Sequence, residues 1–178
     1  MDLEEKKIKG EIVFKGHLLE VHKDEIICPN GNKAYREYID KIPASAVLAK
    51  IDNKFIFEKQ YRYPYHNILI EVPAGKCDEN EDPKNTALRE LEEETGFKAN
   101  NIKFLGKCFP SVAYTNEVIN LYYATDLIKT HTHLDENEFV EVFYLTEEEI
   151  IEKIKKGEIS DAKTVQIFAL YLLNKDNL

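Results

Sequence analysis

The stretch GKCDENEDPKNTALRELEEETGF, from Gly75 to Phe97, decides the reading of this chain. It opens as a loop rich in Gly, Asp and Asn and then turns helical. Asp82 can cap free N–H groups, Pro83 suits the first helical position because its missing donor costs nothing there, and Gly96 suits the left-handed residue that ends a helix. Within Pro83 to Thr95, a turn of about 100° per residue puts Glu90, Glu94 and Glu93 at about 0°, 40° and −60°, one sector bordered by Ala87 and Leu91. Carboxylates there are misplaced for stability. The C-terminal end of a helix carries partial negative charge, so each costs up to about 1 kcal/mol, and mutual repulsion adds to that. A divalent cation removes the conflict, because hard carboxylate oxygens at i and i+4 can share one Mg²⁺. Arg89 can pair with Glu93 at i+4. For a charge run taken alone, the bland alternative is a solvated acidic face.

Working outward, alternation before this stretch predicts strands at Glu11 to Phe14, Leu18 to Cys28, Lys33 to Asp40, Ala46 to Ile51, Phe55 to Gln60 and Ile68 to Val72. Pro29-Asn30-Gly31-Asn32 is the strongest hairpin turn, since Asn and Gly tolerate positive φ. Beyond the helix, strands are expected near Ile102 to Cys108, Val118 to Thr125 and Phe139 to Tyr144. Thr146 and Glu149 form a capping box for a short helix closed by Gly157, and a last helix spans Ala162 to Asn174. This order predicts a mixed α/β (α+β) fold: a β-sheet between helices, with residues 43–178 as the main domain and residues 1–42 as a small N-terminal antiparallel strand unit.

The 178 residues carry a formal net charge of −9, and 43% of them are hydrophobic. A core of useful size is possible, and long nucleic acid, held by neutralising its phosphates, is not an expected partner. An acidic protein acting on an anionic substrate needs a metal between them. No apolar run approaches the roughly 20 residues that span a bilayer, so no membrane partner is expected. The first residues, MDLEEKKIKG, lack the apolar core of a secretory signal, and three cysteines without a C-x-x-C pair fit a reducing cytoplasm.

Gly75, Glu81, Arg89-Glu90-Leu91, Glu93-Glu94 and Gly96-Phe97 stand at spacings that resemble the Nudix hydrolase box at each defined position, over 23 residues. The resemblance implies that Glu90 and Glu94 are metal ligands, Glu93 a ligand or a bridge and a catalytic group, and the carbonyl of Ala74 a further ligand. Glu81 and Arg89 would orient the cluster. It implies Mg²⁺ as cofactor, with Mn²⁺ as a substitute. The implied reaction is attack of water on phosphorus in a nucleoside diphosphate linked to another moiety.

Beyond the box the chain is similar to the ADP-ribose pyrophosphatase branch of that family, from Gln60-Tyr61-Arg62 through Glu71-Val72-Pro73-Ala74-Gly75 to Asp161-Ala162-Lys163-Thr164. The similarity implies ADP-ribose as the small-molecule substrate, with Arg62, Glu71, Glu117 and Arg36 on the substrate side: Arg62 at phosphate and Glu117 at the terminal ribose. It places the catalytic base in the loop Asp135-Glu136-Asn137-Glu138, with Glu136 as the candidate and Glu138 as an alternative base or metal ligand. It also implies an intertwined homodimer built through the N-terminal strands. Two positions depart from the branch: Val112-Ala113 stands where Pro-Gly is usual, and Ile42 stands where His commonly precedes Pro43.

The competing readings are another nucleotide-sugar or housecleaning nucleoside triphosphate hydrolase, and a non-catalytic sensor of a nucleotide metabolite. His131 and His133 share one side of an extended segment but lack a third ligand for zinc. Tyr61, Tyr63, Tyr65 and Phe109 can stack on a base or simply pack in strands.

Overall fold

The computed structural model describes residues 2–178. Its backbone divides into two units. The smaller ends at Ile42 and also takes in Phe109–Glu117. In it β1 (Lys6–Lys15), β2 (Glu20–Ile27) and β3 (Lys33–Asp40) make an antiparallel sheet in that order. The hairpin between β2 and β3 turns where the Asn-Gly pair allows it: Gly31 has φ 83° and donates to the Cys28 carbonyl at 2.8 Å. β1 is exposed along its whole length, including Ile8, Ile12, Val13 and Phe14.

The larger unit, Pro43–Cys108 with Val118–Leu178, holds a seven-stranded mixed sheet. Its main path runs β10 (Val140–Leu145), β5 (Lys54–Arg62), β4 (Ala44–Ile51), β9 (Ile119–Lys129), β8 (Phe97–Cys108), while β6 (Asn67–Glu71) pairs with β5 and β7 (Ala74–Lys76) with β4. Only β4 and β9 run parallel. Helices cover both faces. Helix α1 (Pro83–Thr95) packs Ala87 and Leu91 against Val47, Ile56 and Tyr122. Helices α2 (Glu147–Lys155) and α3 (Ala162–Asn174) pack Ile150, Ile167 and Phe168 against Leu48, Phe55 and Phe57. A sheet buried on both faces reads as a continuous apolar run, which is why Ala46 to Ala49 and Phe55 to Phe57 are all buried. The mixed sheet between helices agrees with the expectation.

Several strands differ from the sequence reading, and β1 runs from Lys6 to Lys15 where only Glu11 to Phe14 was expected. β7 was not expected, because three residues in a Gly-rich segment carry no usable alternation. It forms because the backbone is clamped to β4, Val47 N donating to Pro73 O at 3.0 Å and Cys77 N to Pro43 O at 2.9 Å. β8 starts at Phe97, directly after the helix cap, and not near Ile102, since its polar first turn pairs with the far end of β9. β9 itself runs on to Lys129. Among the described residues no helix is long and apolar enough to cross a membrane.

Candidate active site

Helix α1 presents the acidic sector. Asp82 accepts from Lys84 N at 2.8 Å with Pro83 behind it, and Gly96, at φ 71°, ends the helix by donating to Glu92 O. The loop after β9 is tied to that end: Thr130 N donates to Gly96 O at 2.7 Å and His133 N to Glu93 O at 2.8 Å. A side chain at position 96 would press on the backbone at Thr132, so glycine serves both the positive φ and the close approach. Gly75 has a similar role opposite the helix, since a Cβ there would lie 1.9 Å from Glu90 Oε1.

Arg89 organises the outer part of the sector. Its Nε and Nη2 form a fork on Glu81 at 3.0 and 2.9 Å, and its Nη1 reaches Glu90 at 2.8 Å and Glu93 at 2.9 Å. Nη2 also donates to Lys76 O at 3.0 Å, which ties the loop to the helix. The Arg89 fork, together with Asp78 N–H and the Thr86 hydroxyl and against some desolvation, holds the Glu81 carboxyl down at about 2. Burial pushes Glu90 up, opposed by Arg89 and reinforced by the charges of Glu93 and Glu138.

Beneath lies a second layer without such compensation. Glu94 is 3% exposed and accepts from Ala74 N at 3.0 Å. Burial and then the charges of Glu58, Glu90 and Glu138 push its carboxyl up to about 10. Glu58, on β5 and 1% exposed, is raised to about 8 by burial, with Lys163 opposing and the charge of Glu71 adding, and its Oε2 has no hydrogen-bond partner. Sequence reading missed Glu58 altogether.

A cavity of about 520 Å³ opens over these layers, lined by Ala74 to Lys76, Asp78, Arg89, Glu90 and Glu93 and, from the facing loop, by His133, Asp135 and Glu138. Of the two loop glutamates named from sequence, the structure brings Glu138 to this cavity, half-buried and within 3.4 Å of Gln60 Nε2. Glu136 is exposed and does not line it. Arg62 is held by the chain itself: its Nε and Nη2 grip Glu71 at 2.6 and 2.8 Å, and Lys163 bonds to the same carboxylate and to Asp161 at 3.0 Å. Arg36 and Glu117 lie in the smaller unit. Arg36 forks onto Glu5 and donates to Tyr35 O, and Glu117 N donates to the Thr115 hydroxyl.

Among the described residues no three acidic, His or Cys side chains converge closely enough to hold an ion as they are placed, Arg89 standing between Glu90 and Glu93. The donor chemistry nevertheless fits a hard divalent cation. The groups are carboxylate oxygens, two are almost fully buried, one oxygen lacks any partner, and they repel one another.

Residues 41–168 match the model of the NUDIX domain. The chain belongs to the Nudix family. It is a Nudix hydrolase, and enzymes of this family generally need a divalent metal. It is 41% identical over 165 residues to the methanol dehydrogenase activator of Bacillus methanolicus, and 38% identical over 165 residues to the ADP-ribose pyrophosphatase of Bacillus subtilis (strain 168). Each alignment covers 91% of this chain and 89% of the relative. The crystal structure of an ADP compounds hydrolase superposes with a TM-score of 0.89 over 99% of this chain and 97% of that one, at 22% identity, which shows the Nudix fold.

Proposed function

We propose that this Nudix hydrolase cleaves ADP-ribose to AMP and ribose 5-phosphate with Mg²⁺, which Mn²⁺ can replace. The observation that carries this reading is the cavity in which Glu90, Glu93 and Glu138 meet above the buried Glu94. The flanking motifs and the similarity to the ADP-ribose pyrophosphatase of Bacillus subtilis support ADP-ribose as the substrate. Glu90, Glu94 and the Ala74 carbonyl would hold the ion, with Glu93 beside them. Bound there, Mg²⁺ supplies positive charge against the pyrophosphate oxygens and acidifies the attacking water. Arg89, clamped by Glu81, sets the positions of Glu90 and Glu93. Glu138 takes the proton as the water oxygen attacks phosphorus and the bridging P–O bond breaks. Its loop is pinned to the end of α1 by two backbone hydrogen bonds, so it stays within reach of the helix. Arg62 is fixed in one orientation by its fork on Glu71, which suits a guanidinium that must meet phosphate.

We also propose a homodimer through the smaller unit, because β1 leaves Ile8, Ile12, Val13 and Phe14 exposed. A cytoplasmic site of action fits the cysteine content.

The test is a panel of ADP-ribose, other nucleotide sugars and nucleoside triphosphates with Mg²⁺, followed by nucleotide release. ADP-ribose should give the highest kcat/KM. In the same assay Glu138→Gln should lower kcat by about 10²-fold or more with little change in KM, and Glu136→Gln should leave both near wild type. The reverse result would return the base to Glu136. A second reading, regulation of a partner enzyme, is favoured by the 41% identity to an activator. ADP-ribose bound tightly but not turned over, with either metal, would select it.

A further inference from the structure

We propose that Glu58 is an additional ligand of the divalent ion, presented from β5 opposite the carboxylates of α1. This inference rests on the reading of the α1 cluster as a metal site.

Three observations carry it. The first is position. Residues two apart on a strand share a face, so Ile56, Glu58 and Gln60 point the same way from β5. Ile56 packs into the core beneath α1 with Ala87 and Leu91, and Gln60 Nε2 lies 3.4 Å from Glu138 Oε1. Glu58 therefore sits on that face between the root of α1 and the loop that carries Glu138. Its cross-strand neighbours, Glu71 and Val142, share the same face.

The second is the unmet bonding of Glu58. Its side chain is 1% exposed and its Oε2 has no partner. A buried carboxylate oxygen with nothing to bond to is costly, and an apolar residue in its place would not be. A partner that arrives from outside the chain would meet that cost.

The third is the distribution of cations. Lys163 bonds to Glu71 and Asp161, Arg62 to Glu71, and Arg89 to Glu81, Glu90 and Glu93. None of them bonds to Glu58 or Glu94, and the charge of Glu58 is the largest of those acting on Glu94. Two buried carboxylates that act on each other by charge and bond to no cation have the donor chemistry that a hard divalent ion takes. Shared coordination would satisfy Oε2 and relieve the repulsion together.

The experiment measures Mn²⁺ binding to the nucleotide-free protein by calorimetry and electron paramagnetic resonance, for wild type, Glu58→Gln, Glu58→Met and Glu94→Gln. Each is also melted in EDTA and in excess Mg²⁺. Both Glu58 variants should bind Mn²⁺ about tenfold more weakly or worse and gain less melting temperature from Mg²⁺, while melting in EDTA at or above wild type. Wild-type Mn²⁺ affinity in both, with Glu94→Gln weakened, would overturn the role of Glu58 and leave the metal site standing. Equal binding by wild type and Glu94→Gln would overturn the site and with it the ligand. Failure of both Glu58 variants to fold in EDTA would make Glu58 a part of the architecture and also overturn the proposal.

Discussion

Glu58 and Glu71 face each other across β5 and β6 and are equally buried, at 1% and 2% exposure, yet their surroundings treat them in opposite ways. Burial would push both carboxyls up. At Glu71 the Arg62 fork and Lys163 overcome that and hold it below the usual carboxylate range. At Glu58 and at Glu94 no such bonds exist and both carboxyls are driven up. Depth of burial does not separate the two regions; the presence of a bonded cation does. The Glu71 network is complete within the chain and joins β5, β6 and the start of α3, with Thr164 adding a hydrogen bond from Val72 N. Such a network is architecture. The Glu58–Glu94 region has no bonded cation within the chain, and a divalent ion bound there would supply one.

The contrast can be broken from either side. The largest effect is expected from Lys163→Met, which leaves Glu71 and Asp161 short of a buried cation. Removing one partner of a buried pair should cost on the order of 3 kcal/mol or more, read as a fall in the urea midpoint with the slope unchanged. A loss under about 1 kcal/mol would mean that Arg62 alone completes the Glu71 network. Next in size, and opposite in sign, is Glu94→Gln in EDTA near neutral pH. An amide needs no cation and still accepts from Ala74 N, so the metal-free protein should gain on the order of 2 kcal/mol. Destabilisation comparable to that of Lys163→Met would show that the two regions do not differ in kind.

Much of this was legible in the sequence, and the parts that were not share a cause. Helix α1 could be read to the residue because its ends carry their own chemistry, in Asp82, Pro83 and Gly96, and because a 3.6-residue period fixes which side chains share a face. The acidic sector followed from that geometry alone. Glu58 was invisible for a related reason. In a sheet with one solvated face, a charged residue after Phe57 reads as pointing to water. This sheet is covered on both faces, so the alternate face is interior as well. Continuous burial from Phe55 to Phe57 is the available clue, since it marks a strand with no solvent side. The pairing of Arg62 with Glu71 depends on the register of β5 with β6, which a sequence does not state. The choice between Glu136 and Glu138 turns on the path of a loop held by backbone bonds from Thr130 and His133, whose side chains carry none of that information.

The smallest expected effect is a pH slope, and it tests the contrast without altering the fold. Glu58 and Glu94 are raised from an ordinary 4.5 to about 8 and about 10, so between those limits the folded protein holds protons that the unfolded chain has released. Their contribution to stability is whole below about pH 4.5 and is lost as pH rises through about 8 and then about 10. Glu81 works the other way: lowered to about 2, it contributes above about pH 4.5 and loses that contribution as pH falls toward 2. Metal-free protein should therefore be most stable near pH 5 and weaken steadily toward pH 9, at up to about 1.4 kcal/mol per pH unit for each group that titrates. A net charge of −9 adds a general self-repulsion to the same decline, so the wild-type curve alone is not diagnostic. The comparison of slopes is. Glu94→Gln should flatten the decline by several tenths of a kcal/mol per pH unit or more, and Mg²⁺ should flatten it in wild type by binding the deprotonated form and replacing the protons. Urea titrations at half-unit pH steps, with EDTA and with Mg²⁺, measure both. Parallel slopes for wild type and Glu94→Gln in EDTA would mean that the buried carboxylates are already compensated, and the difference between the Glu71 and Glu94 regions would vanish.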